Sequence, residues 1–207
     1  MAPAMKRFDL PSLLLRAFAE RAHAESFLGG GIRLLERRCY GRMEDSERGD
    51  STEGAAGWIV PGVNNVPVTA GSEYMNPVYV LCMSRPEVDL AHLKRKGPYV
   101  VRILDSQELF ERLAGALAHH TLPDDRELFG IDSGSVAYDK GELASALPSD
   151  EERTRMSYLQ KPAHFRPDAE CRIGILASGP VSTAVHELWV QIDSTGLFAW
   201  HPEGRTA

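Results

Sequence analysis

The chain has 207 residues and a net charge of −6, with 43% hydrophobic and 25% charged residues. That length suits one sizeable domain of roughly 150 to 200 residues, and the composition is that of a globular protein, not a disordered or fibrous one. The acidic balance weighs against a general nucleic-acid binder, which needs a concentrated positive surface. No apolar run approaches the roughly 18 to 20 residues of a membrane span.

Cys39, Cys82 and Cys171 are far apart, odd in number and free of Cys-x-x-Cys spacing. They argue for neither a disulfide framework nor a zinc knuckle, and fit a reducing, cytoplasmic setting. The opening MAPAMKRFDLPSLLLRAFAERAH regains charge at Arg16, Glu20 and Arg21, so it reads as an amphipathic helix and not as a secretion signal.

In chain order, Leu14, Leu15, Phe18, Ala22 and Phe27 predict a helix from Ser12 to Leu28, stopped by Gly29-Gly30-Gly31. A short strand through Ile32, Leu34 and Leu35 leads into RRCYGRMEDSERGDSTEG, a long charged loop that is either solvated or committed to a ligand. Strand fragments at Trp58–Val60 and Val66–Val68 precede PVYVLCMS, residues 77–84, whose apolar residues on both faces suit a central strand. An amphipathic piece over 87–96 leads to the strand YVVRIL, 99–104. A helix then follows, with Asp105 or Ser106 as cap, Glu108 at capping-box distance and a Leu109-Leu113-Leu117 stripe.

Residues 121–134 read as loop, SVAYD at 135–139 as a short strand, and 149–160 as a charged helix. The strand CRIGILA and a final strand, VHELWVQI at 185–192, complete the pattern, and 201–207 read as a C-terminal tail. Helices do not alternate regularly with strands, so the expectation is a single α+β domain: a mixed, mostly antiparallel sheet with three or four flanking helices. No G-x-G-x-x-G follows a strand and no P-loop is present. His119-His120 closes a helix without the acids or cysteines a metal pair requires.

Two charged constellations carry the functional candidates. In PDAECRIGIL, Asp168, Glu170 and Arg172 alternate and so share one face of an extended chain. Neighbouring carboxylates either shift a pKa or recruit a cation, and Arg172 supplies one. The arrangement is either an ion pair on a solvated face or a carboxylate carried to a cleft to stabilise positive charge developing on a sugar. In the 37–54 loop, Asp50 and Glu53 bracket a tight turn, Arg42 or Arg48 suits a phosphate, and Tyr40 offers a stacking surface; otherwise the loop is a mobile polar connection. Ser84 ends the central strand, where a strand's carboxyl end opens on a cleft, although Arg85-Pro86 after it also marks a turn.

The GDSTEG loop, the VLCMS strand, VAY at 136–138 and KPAHF followed by DAECR together resemble a bacterial and phage domain family of unassigned function associated with phage-defence loci. The loop departs from that family's Asn-Asp-Pro-Phe-Glu, keeping only the Asp and the Glu, and SRPEVDLAHLKRKG stands where a Trp-rich segment is usual. A basic residue on an early strand, a serine on a middle strand and acid-x-Glu on a late one also resemble the three-part signature of ADP-ribosyltransferases. That resemblance implies that Arg33 helps to hold NAD, Ser84 supports the pocket and Glu170 hydrogen-bonds the nicotinamide ribose, with Asp168 in the substrate-orienting place. The expectation is a bacterial or phage protein with a cleft for NAD or a related nucleotide, lined by the 40–54 loop, the end of the 77–84 strand and the 168–172 strand. The alternative is a non-catalytic accessory factor whose charged loop contacts a protein partner.

Overall fold

The computed structural model describes residues 5–37, 39, 55–61, 67–73, 76–120, 126–139, 148–179 and 187–204. Tyr40, Arg42, Asp50 and Glu53 lie outside them. Nine strands of the described residues form one sheet: β1 (Met5–Arg7), β2 (Leu14–Phe18), β3 (Gly31–Glu36), β6 (Val78–Ser84), β7 (Tyr99–Ile103), β8 (Leu128–Ser135), β9 (Glu170–Ala177), β10 (Glu187–Gln191) and β11 (Phe198–Trp200). Two more, β4 (Ala55–Pro61) and β5 (Pro67–Glu73), pair as a separate antiparallel hairpin. The order in the sheet is β1-β8-β9-β6-β2-β7-β11, with β3 sharing the edge of β6 and β10 paired to β3. The β1–β8 pair is parallel and the other pairs are antiparallel, so the architecture is mixed and mostly antiparallel α+β.

Strand β6 sits centrally because it has apolar side chains for both faces. Tyr79, Leu81 and Met83 join the main core with Ala24 and Phe27 of α1 (Arg21–Leu28) and Leu109, Leu113 and Leu117 of α3 (Ser106–Leu117). Val78 and Val80 face the other way, against Tyr158 and Leu159 of α4 (Asp150–Leu159). Asp105 caps α3, its Oδ1 accepting from the Glu108 backbone N–H at 3.0 Å. Ser149 and Glu152 close a reciprocal capping box on α4. The short helix α2 (Leu90–Lys96) is capped by Asp89 and packs Leu93 against Leu15 and Val100.

Several elements differ from the expectations, among them β1 and β11, which no sequence signal marks as strands. The single helix expected over 12–28 is a strand, β2, followed by α1. Leu14 and Leu15 are both buried, one in each core, which a two-sided strand achieves, and β2 pairs with β7 over five residues from Leu14↔Ile103 to Phe18↔Tyr99. Adjacent apolar residues satisfy helix and buried strand alike, so only the partner decides. Residues 128–134, expected as part of a loop over 121–134, belong to β8. Glycine, Asp and Ser weaken its strand signal, but Asp132 is buried and bonded to Arg155 of α4 at 2.5 and 2.6 Å. The strand expected at 135–139 is reduced to the end of β8 and a single bridge from Ala137 to Gln160. In the C-terminal segment, residues 202–204 form a 3-10 turn held by Lys94 donating to the Glu203 carbonyl. No helix among the described residues is long and apolar enough to cross a membrane.

Candidate functional site at a fork in the sheet

The far edge of β6 is shared by two strands. Strand β2 meets it at Leu15↔Ser84, and β3 meets it at Leu35↔Val80 and Glu36↔Tyr79. From there β2 runs off with β7 and β3 with β10, so the two strands diverge around Cys82. A cavity of about 270 Å³ opens in the fork, lined by Arg16, Arg33, Ser84, Lys96, Lys161 and Glu170, among others. Three residues expected from sequence, Arg33, Ser84 and Glu170, therefore line one space from β3, β6 and β9. Ser84 and Glu170 are directly paired across the ladder.

Glu170 is buried, and each of its oxygens meets a cation. Arg172 Nε donates to Oε1 at 2.6 Å and Lys161 Nζ to Oε2 at 2.9 Å. Burial alone would raise its pKa, but the Arg172 guanidinium and the Lys161 ammonium reverse this and hold the carboxyl well below its usual range. A carboxylate held in that state accepts hydrogen bonds and stabilises positive charge; it is no proton donor near neutral pH. Arg172, fully buried, also donates to the Tyr158 carbonyl at 2.7 Å. It stands behind Glu170 as its structural counter-charge and not at the cavity wall. The Tyr138 hydroxyl accepts from the Glu170 backbone N–H at 2.6 Å; burial pushes its pKa up, so it stays protonated.

The shared face expected for Asp168, Glu170 and Arg172 is corrected. Glu170 and Arg172 alternate on β9, but Asp168 ends a 3-10 turn over Ala163–Asp168, and Ala169 between them is left-handed at φ 45°. That kink sends the buried Asp168 carboxylate to α2, where it meets Lys96 Nζ at 2.6 Å and His92 Nε2 at 2.7 Å. Asp168 thus anchors a cavity lysine and is absent from the cavity wall. A left-handed alanine costs about 1 to 2 kcal/mol, whereas Ala169→Gly would lose a buried methyl of about 0.8 kcal/mol and gain unfolded-state entropy. The terms nearly cancel, so Ala169→Gly is expected within about 1 kcal/mol of the parent, and Ala169→Val, β-branched in this conformation, to cost about 2 kcal/mol or more by urea denaturation.

Sequence reasoning does not single out Arg16, Lys96 and Lys161, which also line the wall. Four cations and one carboxylate line this wall among the described residues, and behind the wall Asp168 pairs with Lys96 and Glu187 with Arg33, in a chain whose net charge is −6. Such a wall favours an anionic ligand, and desolvation strengthens the attraction. On the opposite face of β9, burial pushes the Cys171 thiol up to about 11, which leaves it protonated and a poor nucleophile. Comparison of the chain with protein-family models, with curated proteins and with solved structures finds no match.

Proposed function

We propose that the fork cavity holds NAD or a related nucleotide and that the chain acts on it as a transferase or hydrolase, with Glu170 as its main carboxylate. The observation that carries this reading is the convergence of Arg33, Ser84 and Glu170 from three strands on one cavity with a cationic wall. Phosphates suit the wall, because arginine and lysine donate charge-assisted hydrogen bonds to them. Breaking the bond between ribose and nicotinamide sends its electron pair onto the nicotinamide nitrogen and leaves positive charge on the sugar. An ionised carboxylate stabilises that charge until water or an acceptor group adds.

The test is NAD binding by calorimetry together with nicotinamide release. Ser84→Ala and Arg33→Gln are each expected to lower release about ten-fold or more. Glu170→Gln is expected to abolish it, but also to leave Arg172 and Lys161 without their counter-charge at about 3 kcal/mol. Release is therefore measured below the variant's melting transition. Wild-type protein that neither binds nor consumes NAD or a related nucleotide overturns the reading.

The double clamp on Glu170 favours one other reading, a non-catalytic accessory factor of a phage or defence system in which Glu170 is structural. In that case charge reversals at Glu44, Asp45 and Glu47 abolish capture of a protein partner while nicotinamide release is absent throughout.

A further inference from the structure

A second, smaller cavity of about 70 Å³ adjoins the first, and Arg16, Phe18, His23 and Arg33 line both. Ser26, Phe27, Gly31 and Trp189 complete its wall. Its basic groups come from different elements: Arg16 from β2, His23 from α1 and Arg33 from β3. The Arg16 guanidinium lies 5.2 Å from both the Phe18 and Phe27 ring centroids, and that of Arg33 lies 5.9 Å from the Trp189 ring and pairs with Glu187. Stacking engages the face of a guanidinium and holds the group still, which suits its in-plane N–H groups to bidentate oxyanion contacts. This compartment has about a quarter of the larger cavity's volume, about 70 against about 270 Å³. A tetrahedral oxoanion fits such a space.

Resting on the nucleotide reading of the larger cavity, we infer that the smaller one receives a terminal phosphomonoester, so that the ligand class is a nucleotide carrying such a group beside its sugar. A phosphomonoester carries about −1.5 to −2 charge at pH 7, which the Arg16 and Arg33 guanidiniums on this wall would meet in competition with Glu187. A phosphodiester or unphosphorylated sugar offers less charge and fewer acceptors to the same groups. The compartment would accordingly act as a selectivity filter between nucleotides that differ by one phosphate.

Calorimetry on two ligand pairs tests this: NADP+ against NAD+, and AMP against adenosine. The phosphorylated member of at least one pair is expected to bind about ten-fold tighter or more, and in Arg16→Gln the gap is expected to shrink to within about two-fold. His23→Ala, whose side chain is half-exposed, reads the same gap if Arg16→Gln fails to fold. Equal affinities within both pairs, or a gap that survives both substitutions, overturns the inference. Inorganic phosphate, followed by phosphorus NMR, separates the two claims. If no nucleotide binds but phosphate binds wild type and not the variants, the nucleotide reading falls and the oxoanion compartment stands; if phosphate does not bind either, the compartment falls with it.

Discussion

Arg172→Met is expected to destabilise the protein by about 3 kcal/mol, the lower end of the cost of breaking a buried ion pair from one side. The lower end applies because Lys161 still meets Glu170 Oε2 at 2.9 Å. The Tyr158 carbonyl also loses the Arg172 N–H that it accepts at 2.7 Å. In a chain of this size the melting temperature should fall by about 6 to 12 °C, readable by circular dichroism. The effect is pH-dependent in a defined direction. The folded-state pKa of Glu170 is depressed, so its contribution is fully present above the unfolded carboxylate value of about 4.3 and is lost as pH falls below it toward the folded value. Without Arg172 the depression is smaller, so the gap between variant and parent should narrow in acid. An unchanged melting temperature at pH 7, or a gap that widens below about pH 4, would show that Arg172 is not the counter-charge the geometry describes.

Gly97→Ala is expected to cost about 3 kcal/mol or more and to disturb the cavity from a distance. Gly97 follows α2 at the point where the chain turns into β7, and β7 pairs there with β2. A Cβ at this position would lie 2.2 Å from both the carbonyl carbon and oxygen of Phe18 and 2.5 Å from the nitrogen of Ala19. These are backbone atoms, so no rotamer change relieves the clash, and the end of β2 must move. Phe18 and Ala19 line the fork cavity, so ligand affinity should fall together with stability. Gly115→Ala serves as the control: nothing lies within 4 Å of a Cβ there, and an alanine inside α3 should add about 0.5 to 1 kcal/mol. A Gly97→Ala protein that melts like the parent would mean that β2 and α2 approach less closely than this.

The elements legible in the chain are those whose signals are local. Asp105 and Glu108 announce the start of α3, the leucines at 109, 113 and 117 its buried stripe, and the unbroken apolar run of VYVLCMS the central position of β6. Leu14 to Phe18 misled because adjacent leucines serve a helix and a doubly buried strand equally well, and β7, which settles the matter, lies far along the chain. LFGIDSGS misled for the opposite reason. Its glycines and its aspartate argue against a strand locally, and they are accepted because α4 lies over that face and Arg155 meets Asp132.

The candidate site divides along the same line. Arg33, Ser84 and Glu170 can be singled out from the chain, since a residue's type and its place on a strand are written locally. Lys96 has the appearance of any basic residue in the last turn of a short helix, and only the kink at Ala169, which aims Asp168 at it, ties it to the cavity. By itself the chain determined a mixed α+β composition, a capped helix, a two-sided central strand and a late strand bearing Glu170 and Arg172. The tertiary structure decided that β2 and β3 part around Cys82, that Asp168 turns away from that strand, and that Arg16, Arg33, Lys96 and Lys161 line one cavity with Glu170. Caps and alternation act over a few residues, whereas charge pairing and strand divergence depend on partners that only folding brings together.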